Sequence, residues 1–114
     1  MDALLGAAGL GDIGKAFPDN DLTLKDISSL ILLKRTLELL KNAGYQPVNV
    51  DATVVAQKPK LAQFIPEMRK RVSNCLALPV EQVNIKATTE ETLGFTGSGA
   101  GMAAHAITLI EKVQ

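Results

Sequence analysis

Two short runs of this chain alternate apolar with polar side chains, and a stretch of helical periodicity lies between them. That order limits the fold more than any other feature. Residues 47–56 (PVNVDATVVA) and 83–88 (VNIKAT) are rich in β-branched types and predict strands with one face to bury; the first shows Asn49, Asp51 and Thr53 on its other face. Between them Leu61, Phe64, Ile65, Met68, Val72 and Leu76 recur as on a helix, with Pro59 placed for its start and Pro66 near its first turns.

Ahead of the first strand, Leu30, Leu33, Leu37 and Leu40 are spaced by three and four residues. They predict an amphipathic helix from Ser28 or Ser29 to Asn42, with Gly44 as its stop. Leu32 and Leu39 widen its apolar face. Residues 2–11 read as a short helix running into Gly9 and Gly11, and 12–21, with Gly14, Pro18, Asn20 and three aspartates, as an irregular loop. After the second strand comes a glycine-dense loop at 94–101, and the alanine-rich residues 102–112 predict a last helix whose Ala103, Ala104 and Ala106 permit close approach to a neighbouring backbone. The expected class is α+β: a two-layer sandwich with helices packed on one face of a mixed β-sheet, ferredoxin-like in character. Two strands are too few for a stable sheet, so the pattern requires a further strand from a segment read otherwise, from another chain or from upstream sequence.

A length of 114 residues suits one domain, and 46% hydrophobic with 21% charged residues is the balance of a globular protein. Twelve Lys and Arg against twelve Asp and Glu leave no net charge, which argues against a nucleic-acid partner or an anionic membrane gripped by a broad basic face. Cys75 is the only cysteine, so neither an internal disulfide nor a Cys-x-x-Cys site is available. No apolar run approaches the ~20 residues that span a bilayer, and Asp2 is wrong for a signal peptide. A cytoplasmic protein with no membrane partner is expected, or one of a plastid-type organelle in a eukaryote.

Four segments carry possible chemistry. Asp12-Ile13-Gly14 with Asp19 and Asp21 offers carboxylates for sugar hydroxyls or a cation, or else a solvated turn with Asx caps. Gln57-Lys58-Pro59-Lys60 follows Ala56 at a strand-to-helix junction where ammonium groups attract anions, or stand as solvated lysines. Thr88-Thr89-Glu90-Glu91 ends the second strand with two hydroxyls for phosphate oxygens and a carboxylate for Mg²⁺ or Mn²⁺. Gly97-x-Gly99-x-Gly101 lacks the βαβ context of a dinucleotide fingerprint. His105 and Cys75 have no ligand or base at helical spacing and read as ordinary packed or surface residues.

Taken in order, DALLGAAGLGDIGK at 2–15, FPDND at 17–21, NVDAT at 49–53, AQKPK at 56–60 and KATTEETLGFTG at 86–97 closely resemble the 2-C-methyl-D-erythritol 2,4-cyclodiphosphate synthase family over nearly the whole chain. The resemblance implies a homotrimer with active sites between subunits. Each site would convert a cytidine diphosphate substrate, 4-diphosphocytidyl-2-C-methylerythritol 2-phosphate, to a cyclic diphosphate and CMP for isoprenoid synthesis. Asp12 and Gly14 would then meet the ribose, with Ile13 between them also substrate-binding, and Phe17, Pro18, Asp19, Asn20 and Asp21 would form the loop over the methylerythritol end. Ala56, Lys60, Leu61 and Ala62 would make the cytosine pocket, with Gln57, Lys58 and Pro59 also among the substrate-binding residues. Thr88, Thr89, Glu90 and Phe95 would complete the substrate contacts, Thr89 also stabilising the transition state and Glu91 holding Mg²⁺ or Mn²⁺.

The family's Zn²⁺ ligands lie on an Asp-x-His first strand and on the helix leading into Asp2, upstream of Met1. The expectation is therefore a single synthase domain over 1–114 without its N-terminal strands and zinc ligands, and with impaired turnover. The alternative is a non-catalytic trimeric relative, or a fragment that keeps only the cytidine pocket. Ser98 and Ala100 replace the Arg and Glu usual in the family, which puts in doubt any prenyl diphosphate in the trimer channel.

Overall fold

The computed structural model describes residues 1–24, 27–56, 61–89 and 101–113. Its elements are α1 (Asp2–Ala7), α2 (Ile13–Ala16), α3 (Ser29–Asn42), β1 (Tyr45–Ala56), α4 (Ile65–Leu76), β2 (Val83–Thr88) and β3 (Met102–Lys112), with 3-10 turns at Leu22–Leu24, Ala62–Phe64 and Val80–Gln82. The sheet order is β2-β1-β3; β1 pairs parallel with β2 and antiparallel with β3. This is the mixed sheet with helices on one face that the pattern predicts.

α3 forms where the leucine spacing places it. Ser28 caps it by accepting the Leu30 N–H, and Gly44 at φ 89° lets the chain turn straight into β1. Its inner residues Leu37 and Leu40 join Leu4 of α1 and Leu76 of α4 in the core, against Tyr45 and Val50 of β1 and Ile110 of β3. Leu32 is half-buried on the flank, while Leu39 stays exposed. In α4, Pro66 sits in the first turn, where its missing N–H costs nothing. The helix ends on Ala77, held left-handed at φ 54° while the Leu78 N–H reaches back to the Ser73 carbonyl.

Two expectations are corrected. Residues 102–112 form strand β3 instead of a helix. Alanine favours helix locally, but β1 would otherwise leave one whole edge of N–H and C=O groups unpaired, and Ile107, Thr108 and Ile110 suit a pleated surface. β3 supplies the third strand that the pattern required. Of the alanines expected to permit close approach, Ala103 is half-buried and Ala104 and Ala106 are exposed, while α1 packs on β3. The stretch 12–21, in turn, contains one regular turn, α2, which Asp12 nucleates by accepting the Lys15 N–H.

Pro47 lies in the central strand, where a proline would interrupt a ladder. The register shift between Pro47 and Asn49 absorbs it, leaving Val48 without an opposite residue. Asn49 repairs the ladder there: its side-chain oxygen accepts the Leu109 N–H and its carbonyl accepts the Thr108 hydroxyl.

Candidate functional site

The first part of the site is built on a chain reversal. After α1, Gly9 and Gly11 take φ 70° and 90°; a Cβ on Gly11 would fall 2.9 Å from Lys15 Cδ. Asp12 follows in extended conformation and caps α2, its Oδ1 2.8 Å from the Lys15 nitrogen. Farther on, Asp21 Oδ1 accepts both the Thr23 N–H at 3.0 Å and the Thr23 hydroxyl at 2.6 Å, and those two bonds hold the Asp21 carboxyl below the usual carboxylate value.

These turns border an open groove of about 610 Å³ lined by Gly14, Phe17, Pro18, Asp19 and Asp21 together with Leu24, Ile27 and Leu32. Ile13 lines it, Asp12 stands at the cap beside it, and Asn20 is an exposed turn residue. Of the two readings of the aspartates, the turn caps are present in the structure. They leave room for the other, because in Asp12 and Asp21 alike every cap bond falls on Oδ1 and the second oxygen is not needed for the turn.

The second part lies at the carboxyl ends of the parallel strands. Val55 pairs with Thr88, so Ala56, which is buried, and Thr88-Thr89, which are exposed, leave the sheet side by side. In parallel open sheets that edge is where ligands bind. The chain resumes at Leu61, half-buried, and Ala62, exposed on a 3-10 turn. Gln57, Lys58, Pro59, Lys60, Glu90, Glu91 and Phe95, with Ser98 and Ala100, lie outside the described residues. Among the described residues the lining of the groove includes none from a strand.

Sequence reasoning passed over the residues that fix the strand edge. Arg69 of α4 donates from Nε to the Val83 carbonyl at 2.7 Å and from Nη2 to the Val80 carbonyl at 3.0 Å, which sets the start of β2. On the sheet face away from the helices, Asp51 accepts from Lys86 Nζ at 2.8 Å and from Asn84 Nδ2 at 3.1 Å. Those bonds hold the Asp51 carboxyl below its usual range. The signal was present as polar residues on alternate positions of two strands, but only a parallel register brings them together.

His105 is exposed on β3 opposite Thr53 and lines a cavity of about 550 Å³ with Met1, Asp2 and Ala52. Cys75 is buried, its Sγ 3.7 Å from the Leu30 carbonyl, as a small core residue. Among the described residues no group of three or more His, Cys, Asp and Glu side chains is placed to hold a metal, so they do not fit a zinc ion by themselves. No described helix is long and apolar enough to cross a membrane.

Residues 1–111 match the model of the YgbB family. A 2-C-methyl-D-erythritol 2,4-cyclodiphosphate synthase of Syntrophomonas wolfei is 56% identical over 111 residues, covering 97% of this chain and 71% of the relative. Among solved structures, the bifunctional IspDF of Campylobacter jejuni superposes with a TM-score of 0.93 at 41% identity, covering 97% of this chain and 30% of that one. A CDP complex of Plasmodium falciparum IspF gives 0.84 at 32% identity, covering 99% and 67%.

Proposed function

The chain belongs to the YgbB family, and from that premise we propose that it converts 4-diphosphocytidyl-2-C-methyl-D-erythritol 2-phosphate to the 2,4-cyclodiphosphate with release of CMP. The observation that carries this reading is the 111-residue match to synthases of isoprenoid precursor formation; no feature favours a non-catalytic relative. The 2-phosphate oxygen attacks the β-phosphorus, a P–O bond forms to it, and the bond to the CMP oxygen breaks, so CMP carries away the electron pair.

Such a step needs alignment and charge neutralisation more than a protein nucleophile. Asp12 and Gly14 are proposed to hold the ribose hydroxyls, and Phe17 to Asp21 to cover the methylerythritol end and exclude water. Ala56, Leu61 and Ala62 border the cytosine pocket, which residues 57–60 complete. Thr88 and Thr89 donate to the diphosphate, and Thr89 also meets the charge that grows on the transferring phosphorus. Glu90 and Phe95 are proposed to complete the substrate contacts, and Glu91 would hold a Mg²⁺ or Mn²⁺ that would neutralise phosphate charge. No step is assigned to Zn²⁺, whose ligands are not among the described residues, and turnover by these 114 residues alone is proposed to be weak for that reason.

We propose a homotrimer with sites between subunits. Two facts support it. Among the described residues the groove is lined by none from a strand, so a site that uses both the groove and the strand edge is proposed to draw on two copies. The sheet face away from the helices also carries Ile107 and Leu109 at 76% and 59% exposure, apolar surface of the kind subunits cover. The test is incubation of the chain with the diphosphocytidyl substrate, Mg²⁺ and Zn²⁺, following CMP by chromatography. Equal amounts of CMP and cyclic diphosphate are expected. CDP binding without CMP release would point to the non-catalytic alternative, and no CDP binding at millimolar ligand would overturn the reading.

A further inference from the structure

α2 has only four residues, too few to hold its own geometry, and α2 contributes Ile13 and Gly14 to the lining of the groove. Its N-terminal N–H groups have two carboxylate partners. Asp12 takes the Lys15 N–H from within the turn, and Asp2, eleven residues upstream, places Oδ1 2.7 Å from the Ile13 nitrogen. Asp2 opens α1, whose Leu4 and Leu5 are 3% and 0% exposed. The bond thus runs from a helix anchored in the core to the first residue of an unanchored one, and closes the reversal made by Gly9 and Gly11.

We propose that Asp2 is a positioning residue for the ribose side of the site: it latches Ile13, and through Ile13 sets where Asp12, Gly14 and Phe17 stand. This rests on the cytidine reading of the groove. Ile13 lines two cavities, the 610 Å³ groove and the 550 Å³ cavity that Asp2 itself lines, so releasing it alters the walls of both. A hydrogen bond to a backbone donor needs an acceptor oxygen and no charge, so an amide oxygen in the same place keeps the latch.

The experiment compares D2A, D2N and the wild-type chain, with G6A as control; a Cβ on the exposed Gly6 meets nothing within 4 Å. CDP affinity is measured by calorimetry, amide exchange at Ile13 to Phe17 by NMR, and Tm by calorimetric scan. D2A is expected to weaken CDP about tenfold and to speed exchange at Ile13 by a similar factor. D2N is expected to recover most of both, and G6A to change neither. If D2A leaves CDP affinity and Ile13 exchange as in the wild type, or if D2N is as poor as D2A, the latch is overturned. A D2A loss confined to Tm makes Asp2 a stabiliser of α1 alone and also overturns it. If the wild-type chain does not bind CDP, the cytidine reading fails, while Ile13 exchange still decides whether Asp2 holds the turn.

Discussion

The slab of α3, β1, α4 and β2 and the arm of residues 12–24 are held by different forces. In the slab, Leu40 and Val83 are fully buried and Leu76 nearly so, and position follows from packing. In the arm no described side chain is buried; its shape follows from hydrogen bonds accepted by Asp2, Asp12 and Asp21. Burial distributes stability over many contacts, whereas a cap concentrates it in one oxygen. A protein built this way should lose global stability and local geometry through separate substitutions, and the following experiments are chosen to break that separation.

The largest effect belongs to the slab. L40A removes a fully buried side chain facing Leu4, Leu37 and Leu76, and should cost about 2–5 kcal/mol in urea denaturation. At temperatures well below its Tm, the CDP affinity of L40A should match the wild type; a parallel loss would show that the arm depends on the core after all. R69A comes next. It strips the donors from the Val83 and Val80 carbonyls, and about 1–3 kcal/mol should go. Lysine should not rescue it, since one ammonium does not reproduce the guanidinium fork.

The elements that were legible are those whose local pattern and tertiary role agree. α3 could be read to its caps because Ser28, the leucine spacing and Gly44 all say the same thing, and β2 could be read to its ends. β3 could not, because Ala103, Ala104 and Ala106 report a helix to anyone who cannot see the empty edge of β1. In the site, Asp12, Asp19 and Asp21 could be named, and for Asp12 and Asp21 the two uses proposed are compatible once their oxygens are told apart. The bond from Asp2 to Ile13 spans eleven residues and a reversal, a contact that no periodicity encodes.

A smaller effect sharpens the slab side. Ala77 ends α4 in the left-handed region, where a Cβ costs about 1 kcal/mol, so A77G should stabilise the protein by about 0.5–1 kcal/mol and raise Tm with no change at the arm. The smallest concerns pH. Lys86 and then Asn84 hold Asp51 below the usual 3.8, so its contribution is whole above that value and fades as pH falls from 3.8 toward the folded value. The difference in urea midpoint between wild type and D51N should be constant from about pH 7 to 4.5 and shrink below it. A difference that instead shrinks above pH 4.5 would mean that Asp51 is not held low.

The central position of β1 also sets a schedule. Tyr45 pairs with Lys112, so the antiparallel half of the sheet cannot close until β3 has left the ribosome, whereas α3, β1, α4 and β2 can assemble before it. Until then β1 presents a long open edge in a partly built chain. The nascent protein is most exposed to wrong strand pairing in the interval before β3 is made, and the helix-like composition of β3 discourages early pairing.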